Sequence, residues 1–527
     1  MLHTARTWSL YHRTRPSTCE STVNRFAPRA CLVVLSAGLY AAMLPTGAGW
    51  LLAWLALVPL FWACSTASPA RACALGGLFG LAGTLGVAWW FPGMVERYFA
   101  APPALAWLGL AAIGTTVDGV PYALFGAWLS RAARRGSLTP FRAANAFVHA
   151  ELVRAHGPLA NPYGLLGYSL HGTPFAQAAD LAGPWGVGLL AAAANAALTA
   201  ALLPRLTRPP VLRTLASTAA AVFAAFLYGE LRLGQSFGDG SPVRVALVQG
   251  AVARGLHWDR SLRDANLARY LELNGEAARG APELVFWPEF AVDFYLSEET
   301  PQRERLFAGV RAAGADVVLG ASRYSFREQE TLYYNSVYVI DRSGNLGDGE
   351  YDKQRLVPFS EYAPFPNAPH AASAVYVPGS GPRLLDTRAL RVGAFVCGEA
   401  LYPEVARGLA RAGAELLANP SNDYWFGAPQ ASAEQLVSAS FRAIENRRWL
   451  VRATATGISA VVDAHGRITA RSAGDGPEIV AAEVERASTR TPYQAAGDAG
   501  VAAVCLAGAA LGLFGRARKP FPEGDTT

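Results

Sequence analysis

Leu390-Arg391-Val392-Gly393-Ala394-Phe395-Val396-Cys397-Gly398-Glu399 is a short apolar run that stops abruptly at a thiol, a glycine and a carboxylate. A run of this length and character reads as a strand buried in a sheet. Two other runs stop in the same way. Glu283–Trp287 ends at Pro288-Glu289, and Leu346–Asp352 ends at Lys353. Helical spacing over 259–278, 301–313, 402–412 and 431–447 separates these strands from others at Val243–Gln249, Ala315–Ser322, Leu332–Asp341, Ala414–Asn419, Trp449–Thr454 and Ile458–Asp463. Ser343-Gly344 is expected to turn a hairpin between 332–341 and 346–352, and Asp463–Arg467 to turn the last one. Alternating strands and helices predict layered sheets covered by helices, with the functional groups at strand ends.

Outside this stretch the composition changes. The 527-residue chain is 52% hydrophobic and only 16% charged, and the apolar residues concentrate in 30–230 and again near 498–515. About 20 apolar residues cross a bilayer as a helix. Spans are expected near 30–46, 48–65, 73–92, 103–130, 140–156, 181–203, 211–229 and 498–515. Asp118 interrupts the fourth, and Glu151 and Arg154 the fifth. The organisation is then a tail over 1–29, a helical membrane domain over 30–230 with about seven spans, a soluble domain over 231–495, a last span over 496–515 and a tail over 516–527. Phe237–Pro242 is the hinge into the soluble domain.

The net charge of +6 and pI near 9.0 do not point to nucleic acid, because the cations are periodic. Arg6, Arg13, Arg15, Arg25 and Arg29 precede the first span, and Arg71 follows the second. Arg131, Arg134, Arg135 and Arg142 follow the fourth, Arg205, Arg208 and Arg213 the sixth, and Arg516, Arg518 and Lys519 the last. Every second loop is basic, so these loops and both tails are expected in the cytoplasm, and the soluble domain outside an inner membrane, in the periplasm. The first span reads as retained, since no small-residue cleavage site follows Tyr40.

Of six cysteines, Cys31, Cys64, Cys73 and Cys505 fall in or beside spans and Cys19 in the tail; Cys397 stands by itself in the soluble domain. It is expected to be used rather than paired. No CxxC or His/Cys cluster suggests a metal. His257, His370 and His465 lie in no context that would make a nucleophile–His pair. Cys397 as nucleophile, Glu289 as general base and Lys353 as oxyanion stabiliser make a set suited to acyl transfer through a thioester, with the N–H of Gly398 as a second oxyanion donor.

The soluble stretch resembles the nitrilase (carbon–nitrogen hydrolase) superfamily, and the chain from about 45 to 515 resembles the bacterial apolipoprotein N-acyltransferases. The resemblance is carried by Val248-Gln249-Gly250, Trp287-Pro288-Glu289, Lys353–Tyr362, Cys397-Gly398-Glu399, Ser421–Gly427, Arg442–Glu445 and Gly457–Ala460. In the membrane part it is carried by Glu151–Arg154 and Gly164–Ser169. It implies an αββα sandwich joined to a multi-pass helical membrane domain. It also implies a Glu289–Lys353–Cys397 triad supported by Glu361 and Glu399. The implied donor is a phospholipid, typically phosphatidylethanolamine, and the implied acceptor the α-amine of a diacylglyceryl-cysteine apolipoprotein. No metal or cofactor is implied, and a monomer is expected.

The chain departs from that pattern in three places. Gly398 stands where an aromatic is usual, Thr454-Ala455-Thr456-Gly457 lacks amides, and Ala428–Ser432 lacks a Trp-Gln-His. A divergent paralogue acylating another amine, a membrane-tethered amidase and a non-enzymatic relic are the competing readings. Phe290, Phe294, Tyr295, Tyr362, Phe365, Tyr424, Trp425 and Phe426 are candidates for a lipid-contacting lid, and Glu151 and Arg154 for a pair on one helix face.

Overall fold

The computed structural model describes residues 18–44, 49–157, 159–203, 211–252, 261–365, 375–474 and 476–514. The expectations for Arg6, Arg13, Arg15, Arg205, Arg208, His257, His370, Arg516, Arg518 and Lys519 lie outside these residues.

Among the described residues, nine α-helices build the N-terminal part: α1 (Thr18–Ala42), α2 (Val58–Thr66), α3 (Pro69–Val87), α4 (Phe91–Phe99), α5 (Pro103–Ile113), α6 (Gly119–Arg134), α7 (Pro140–Ala155), α8 (Ala179–Leu202) and α9 (Val211–Leu233). Proline sits in the first turn of α2 through α5 and of α7, where its fixed φ favours the helix and its missing N–H costs nothing. Among the described residues, five helical stretches are long and apolar enough to cross a membrane: Gly49–Thr66, Pro69–Val87, Pro103–Arg134, Pro174–Leu202 and Val211–Leu233. The apolar part of α1, Phe26–Ala42, is shorter, and α7 has 16 residues. Helices α3 and α6 approach backbone to backbone. A Cβ at Gly76 would stand 2.0 Å from Tyr122 O, and one at Gly80 2.6 Å from Gly119 Cα. Small residues four apart at a helix contact are a membrane packing device.

Among the described residues, the soluble part contains two six-stranded sheets. The first is built from β1 (Pro242–Gln249), β2 (Leu284–Phe286), β3 (Asp316–Arg327), β4 (Glu330–Ile340) and β5 (Tyr351–Asp352), with α10 (Arg263–Ala278) and α11 (Pro301–Ala313) between its strands. The second is built from β6 (Leu385–Asp386), β7 (Arg391–Ala394), β8 (Leu416–Ala418), β9 (Trp449–Arg452), β10 (Ala460–Val462) and β11 (Ile468–Arg471), with α12 (Pro403–Ala412) and α13 (Pro429–Asn446). β12 (Glu478–Glu485) returns to pair antiparallel with β1 at the edge of the first sheet. α14 (Pro492–Phe514) then leaves towards the helical part.

Side-chain alternation decides the layering. On β1, Val243, Val245 and Leu247 pack with residues of the second sheet, while Ala246 and Val248 pack with α10 and α11. The strand is apolar on both faces because both are covered. The order α10/α11, first sheet, second sheet, α12/α13 is the expected αββα arrangement.

The expected hairpin around Ser343-Gly344 forms, with β4 antiparallel to β5, and a longer one precedes it: β3–β4, paired from Val317↔Ile340 to Arg327↔Glu330. Gly347-Asp348-Gly349 interrupts the second arm, leaving the Ile340↔Leu346 bridge and two-residue β5 opposite Val337 and Ser336.

α13 belongs to two cores. Leu436, Ala439 and Ala443 pack on the second sheet, whereas Phe441 and Ile444 pack with the helical part. At its C-terminal end Arg447 donates to Asp180 Oδ2 through Nη2 at 2.7 Å and Nε at 3.0 Å, both residues being fully buried. Tyr228 and Arg232 bond the same carboxylate from α9 at 2.7 and 2.8 Å. Removing one member of a buried pair leaves its partner's charge uncompensated. Asp180→Asn and Arg447→Ala should each destabilise by about 3–5 kcal/mol. The double variant should cost less than the sum, as measured by thermal unfolding in detergent.

Candidate active site

The strand ends of both sheets meet at one place. Glu289 follows β2, Lys353 follows β5 and Cys397 follows β7. The loop carrying Glu289 lies flat on β3, where Gly320 N donates to Pro288 O at 3.1 Å and Ala291 N to Gly320 O at 2.8 Å. A Cβ at Gly320 would stand 2.7 Å from Glu289 Cα, so the contact requires glycine. Cys397 has φ of +51° and Phe290, next to Glu289, has the same value. A non-glycine residue held there costs about 1–3 kcal/mol and persists only where the surroundings impose it. The surroundings are explicit for the cysteine. Its N–H donates to Pro420 O at 2.9 Å, and Asn419 Nδ2 donates to Phe395 O at 2.8 Å and to Cys397 O at 3.2 Å.

Lys353 Nζ lies 3.0 Å from both oxygens of Glu361 and 3.4 Å from Glu289 Oε1. Asn335, on β4, donates through Nδ2 to Glu289 Oε1 at 2.7 Å and to Glu361 Oε1 at 2.9 Å, and its carbonyl accepts from Lys353 N at 2.8 Å. All four side chains are buried. Burial would pull the lysine's pKa down, but Glu361 and Glu289 offset this and hold it well above its ordinary value. Burial raises the Glu289 pKa, opposed by Lys353 and reinforced by Glu361. The Cys397 thiol is pushed up to about 12 by burial and by the Glu289 charge, with Lys353 acting in the other direction. At rest the cluster therefore holds a neutral thiol beside a carboxylate and an ammonium. A thiol so placed can lose its proton to Glu289 as it attacks.

Glu399 does not join that cluster. It accepts from Val396 N at 2.6 Å, Gln354 N at 2.7 Å, Arg355 N at 2.9 Å and the Tyr351 hydroxyl at 3.0 Å. It thus ties the Cys397 loop to the Lys353 loop. Burial lifts its pKa to about 7, against those hydrogen bonds. A Cβ at Gly398 would meet nothing within 4 Å, so open space adjoins the thiol where an aromatic is absent.

The expected lid residues divide. Phe365 is exposed and packs edge-on to Phe359 at 5.6 Å, and Tyr362 is half-buried. Trp425 packs on Tyr98 of α4 at 4.7 Å. Phe426 is buried against Trp90 at 5.2 Å, and Phe294 is buried in the core under α10 and α11, so neither presents a free face. Helix α4 crosses this region: Arg97 donates to the carbonyls of Trp425 and Phe426, and the Tyr98 and Ser360 hydroxyls bond each other. Glu151 and Arg154 stand elsewhere, in the core of the helical part. Their 4.0 Å contact is secondary to Tyr40 and Leu166 N on Glu151, each at 2.8 Å, and to Asp118 on Arg154 at 3.4 Å.

Two family models match the chain: the apolipoprotein N-acyltransferase N-terminal domain over 36–197 and carbon-nitrogen hydrolase over 244–493. An apolipoprotein N-acyltransferase of Geobacter metallireducens is 32% identical over 496 residues, covering 91% of this chain and 94% of that one. The chain belongs to the apolipoprotein N-acyltransferase family. Another member, from Azotobacter vinelandii, is 32% identical over 88% of this chain and 90% of its own. Among solved structures, a Nesterenkonia amidase of the nitrilase superfamily aligns with a TM-score of 0.39 at 21% identity, covering 51% of this chain and 98% of that one. With its apolar helices, this member of the family is a membrane protein.

Sequence reading missed Asn335, although two polar residues, Asn335-Ser336, inside an apolar strand were a signal. It also missed Asp423, which Arg452 holds at 2.7 and 2.9 Å behind the Cys397 loop. The raised thiol pKa has a direct consequence: at neutral pH Cys397 carries on the order of a thousandfold less thiolate than an ordinary cysteine. Its alkylation by iodoacetamide, read by peptide mass mapping, should be at least tenfold slower than that of a free thiol at pH 7.5. It should still be rising with pH above 9.

Proposed function

We propose that this protein moves a fatty acyl chain from a phospholipid, through a thioester on Cys397, to the N-terminal amine of a diacylglyceryl-cysteine apolipoprotein. The observation that carries the reading is the buried Glu289–Lys353–Glu361 cluster beside the Cys397 thiol, at a place where α4 of the helical part meets the catalytic loops. Family membership supports the reaction class. The alternation of basic loops supports an inner-membrane protein with this domain in the periplasm.

In the first half-reaction Cys397 Sγ attacks the ester carbonyl while Glu289 takes the thiol proton. The Lys353 ammonium and the Gly398 N–H face the developing oxyanion. Collapse breaks the ester C–O bond, and Glu289 returns the proton to the departing oxygen, releasing lysophospholipid. In the second, the acceptor amine attacks the thioester carbonyl and Glu289 takes the N–H proton. The C–S bond breaks, the amide leaves, and the proton returns to sulfur. Atoms and protons balance without a cofactor. Glu361 and Asn335 hold Lys353 and Glu289 in place, and Glu399 fixes the two loops relative to each other. The apolar setting disfavours water at the thioester.

Purified protein given phosphatidylethanolamine with a labelled acyl chain should acquire a hydroxylamine-labile label. Cys397→Ala should not, and a diacylglyceryl-cysteine peptide should discharge the label as an N-acyl product. A folded wild type that stays unlabelled would reject the phospholipid donor.

The pH dependence of labelling has a definite sign. Glu289 must be ionised to act as base, so the rate falls as pH drops through its raised pKa. The acid limb should therefore lie above the roughly 4.3 of a free glutamate. Removing a like charge with Glu361→Gln should move that limb to lower pH, measured on the single-turnover rate.

A further inference from the structure

Buried carboxylates in this protein come with partners. Asp180 has Arg447, Asp423 has Arg452, Glu445 has Arg442 at 2.5 Å, Asp118 has Arg154 and Glu289 has Lys353. Glu399 has no cation but is saturated by three backbone N–H groups and a tyrosine. Glu434, on α13, has neither. It is 5% exposed, and one oxygen accepts only the Gln430 side-chain amide at 3.2 Å. The other oxygen has only the Trp90 indole beside it, too poorly placed for a full hydrogen bond, and no cation acts on the group among the described residues. Burial raises its pKa to about 8. Ionising it there is costly, and a cationic ligand would relieve that cost.

The surroundings suit one kind of cation. Glu434 lies one helical turn beyond Ala431, which packs with Trp90 and Phe426, so it shares that aromatic face. Trp90 stands beside the carboxyl with its indole N–H turned to it, and its ring meets Tyr163 at 5.4 Å and Phe426 at 5.2 Å. Aromatic rings with a carboxylate make a receptor for a substituted ammonium. The group is near the chemistry, since the Tyr163 phenol lies within electrostatic reach of both Cys397 and Glu434. It is also near the surface. The Gln430 amide that occupies Glu434 belongs to a half-buried side chain, which in turn accepts from the Trp89 indole at 2.7 Å, and Trp89 is 50% exposed. Swinging Gln430 outwards would vacate the oxygen it now holds.

We infer that Glu434, with Trp90 and the aromatic residues around it, forms a subsite for a primary ammonium group carried by a substrate. The inference rests on the proposed acyl transfer, which offers two such groups: the ethanolamine head of the donor and the α-ammonium of the acceptor before it loses its proton. Glu434 is then a specificity residue and not part of the acyl-transfer machinery.

The test uses full-length protein in detergent with phosphatidylethanolamine or phosphatidylglycerol carrying the same labelled acyl chains. Thioester formation is followed without acceptor, and discharge with a diacylglyceryl-cysteine peptide. If the donor head is bound, Glu434→Gln lowers kcat/KM for phosphatidylethanolamine labelling about tenfold and leaves phosphatidylglycerol unchanged, a loss typical of one charge-assisted bond. If the acceptor is bound, both lipids label normally and KM for the peptide rises about tenfold. Glu434→Asp should recover part of either loss. Unchanged kinetics, or an equal slowing with both lipids and a lowered unfolding temperature, would overturn the subsite and leave Glu434 a structural tie. Wild-type labelling that depends on Cys397 is read in the same assay, so a failure of the acyl-transfer reading shows itself separately.

Discussion

Burial of α13 on both its sides is the constraint from which the rest of the arrangement follows. One face covers the second sheet and the other completes the core of the helical part. A soluble domain tethered by two linkers would be free to rotate, and its site would face lipid only part of the time. A helix shared by two cores removes that freedom. Arg447, Asp180 and the α9 residues around them fix the C-terminal end of α13. The N-terminal end is fixed by Trp89 on Gln430 and by Tyr163, whose hydroxyl receives Gln435 Nε2 at 3.1 Å. The height of Cys397 relative to the helical part is thus set by packing rather than by linker length.

Within the site, the same economy of space holds buried charges together. Two carboxylates, an ammonium and a thiol share a buried volume organised by one amide, Asn335. Carboxylates this close favour sharing a proton or a cation, and here the cation is Lys353. The left-handed φ at Cys397 and Phe290 shows where the fold holds strain. Both residues lie where a strand gives way to the loop that carries a reactive side chain. A rigid, strained support keeps a nucleophile in position without a mobile loop.

Much of this was legible in the chain. The apolar runs ending at Glu289 and Cys397 are the ends of β2 and β7 because a buried strand announces itself by continuous hydrophobicity and stops where polarity begins, whereas the polar stretch before Lys353 yields only two-residue β5. Helices α11, α12 and α13 begin at prolines and fall within a few residues of their expected limits. Pairing was harder to read. The turn at Ser343-Gly344 is legible and forms, whereas the longer β3–β4 ladder turns at Glu328 and Gln329, whose sequence carries no glycine to mark it. Asn335 and Glu434 were invisible as site residues because their meaning comes from partners far away in sequence. Asn335 acts on Glu289 and Glu361, and Glu434 lies against Trp90, which belongs to the helical part. Phe426 is a lid candidate by sequence yet packs on Trp90, because periodicity cannot tell packing against a neighbouring domain from contact with lipid.

The pairing of β12 with β1 bears on how such a protein could arise. Pro242, where the first strand starts, lies opposite Glu485, where the last strand finishes, and Asp239 N donates to Arg486 O at 3.0 Å just outside the ladder. The soluble domain therefore begins and ends at one point. A folding unit with adjoining ends can be spliced into a short loop between two helices without prying them apart. Here those helices are α9 and α14. The two halves of the chain have the geometry of a guest and a host, joined through the shared α13.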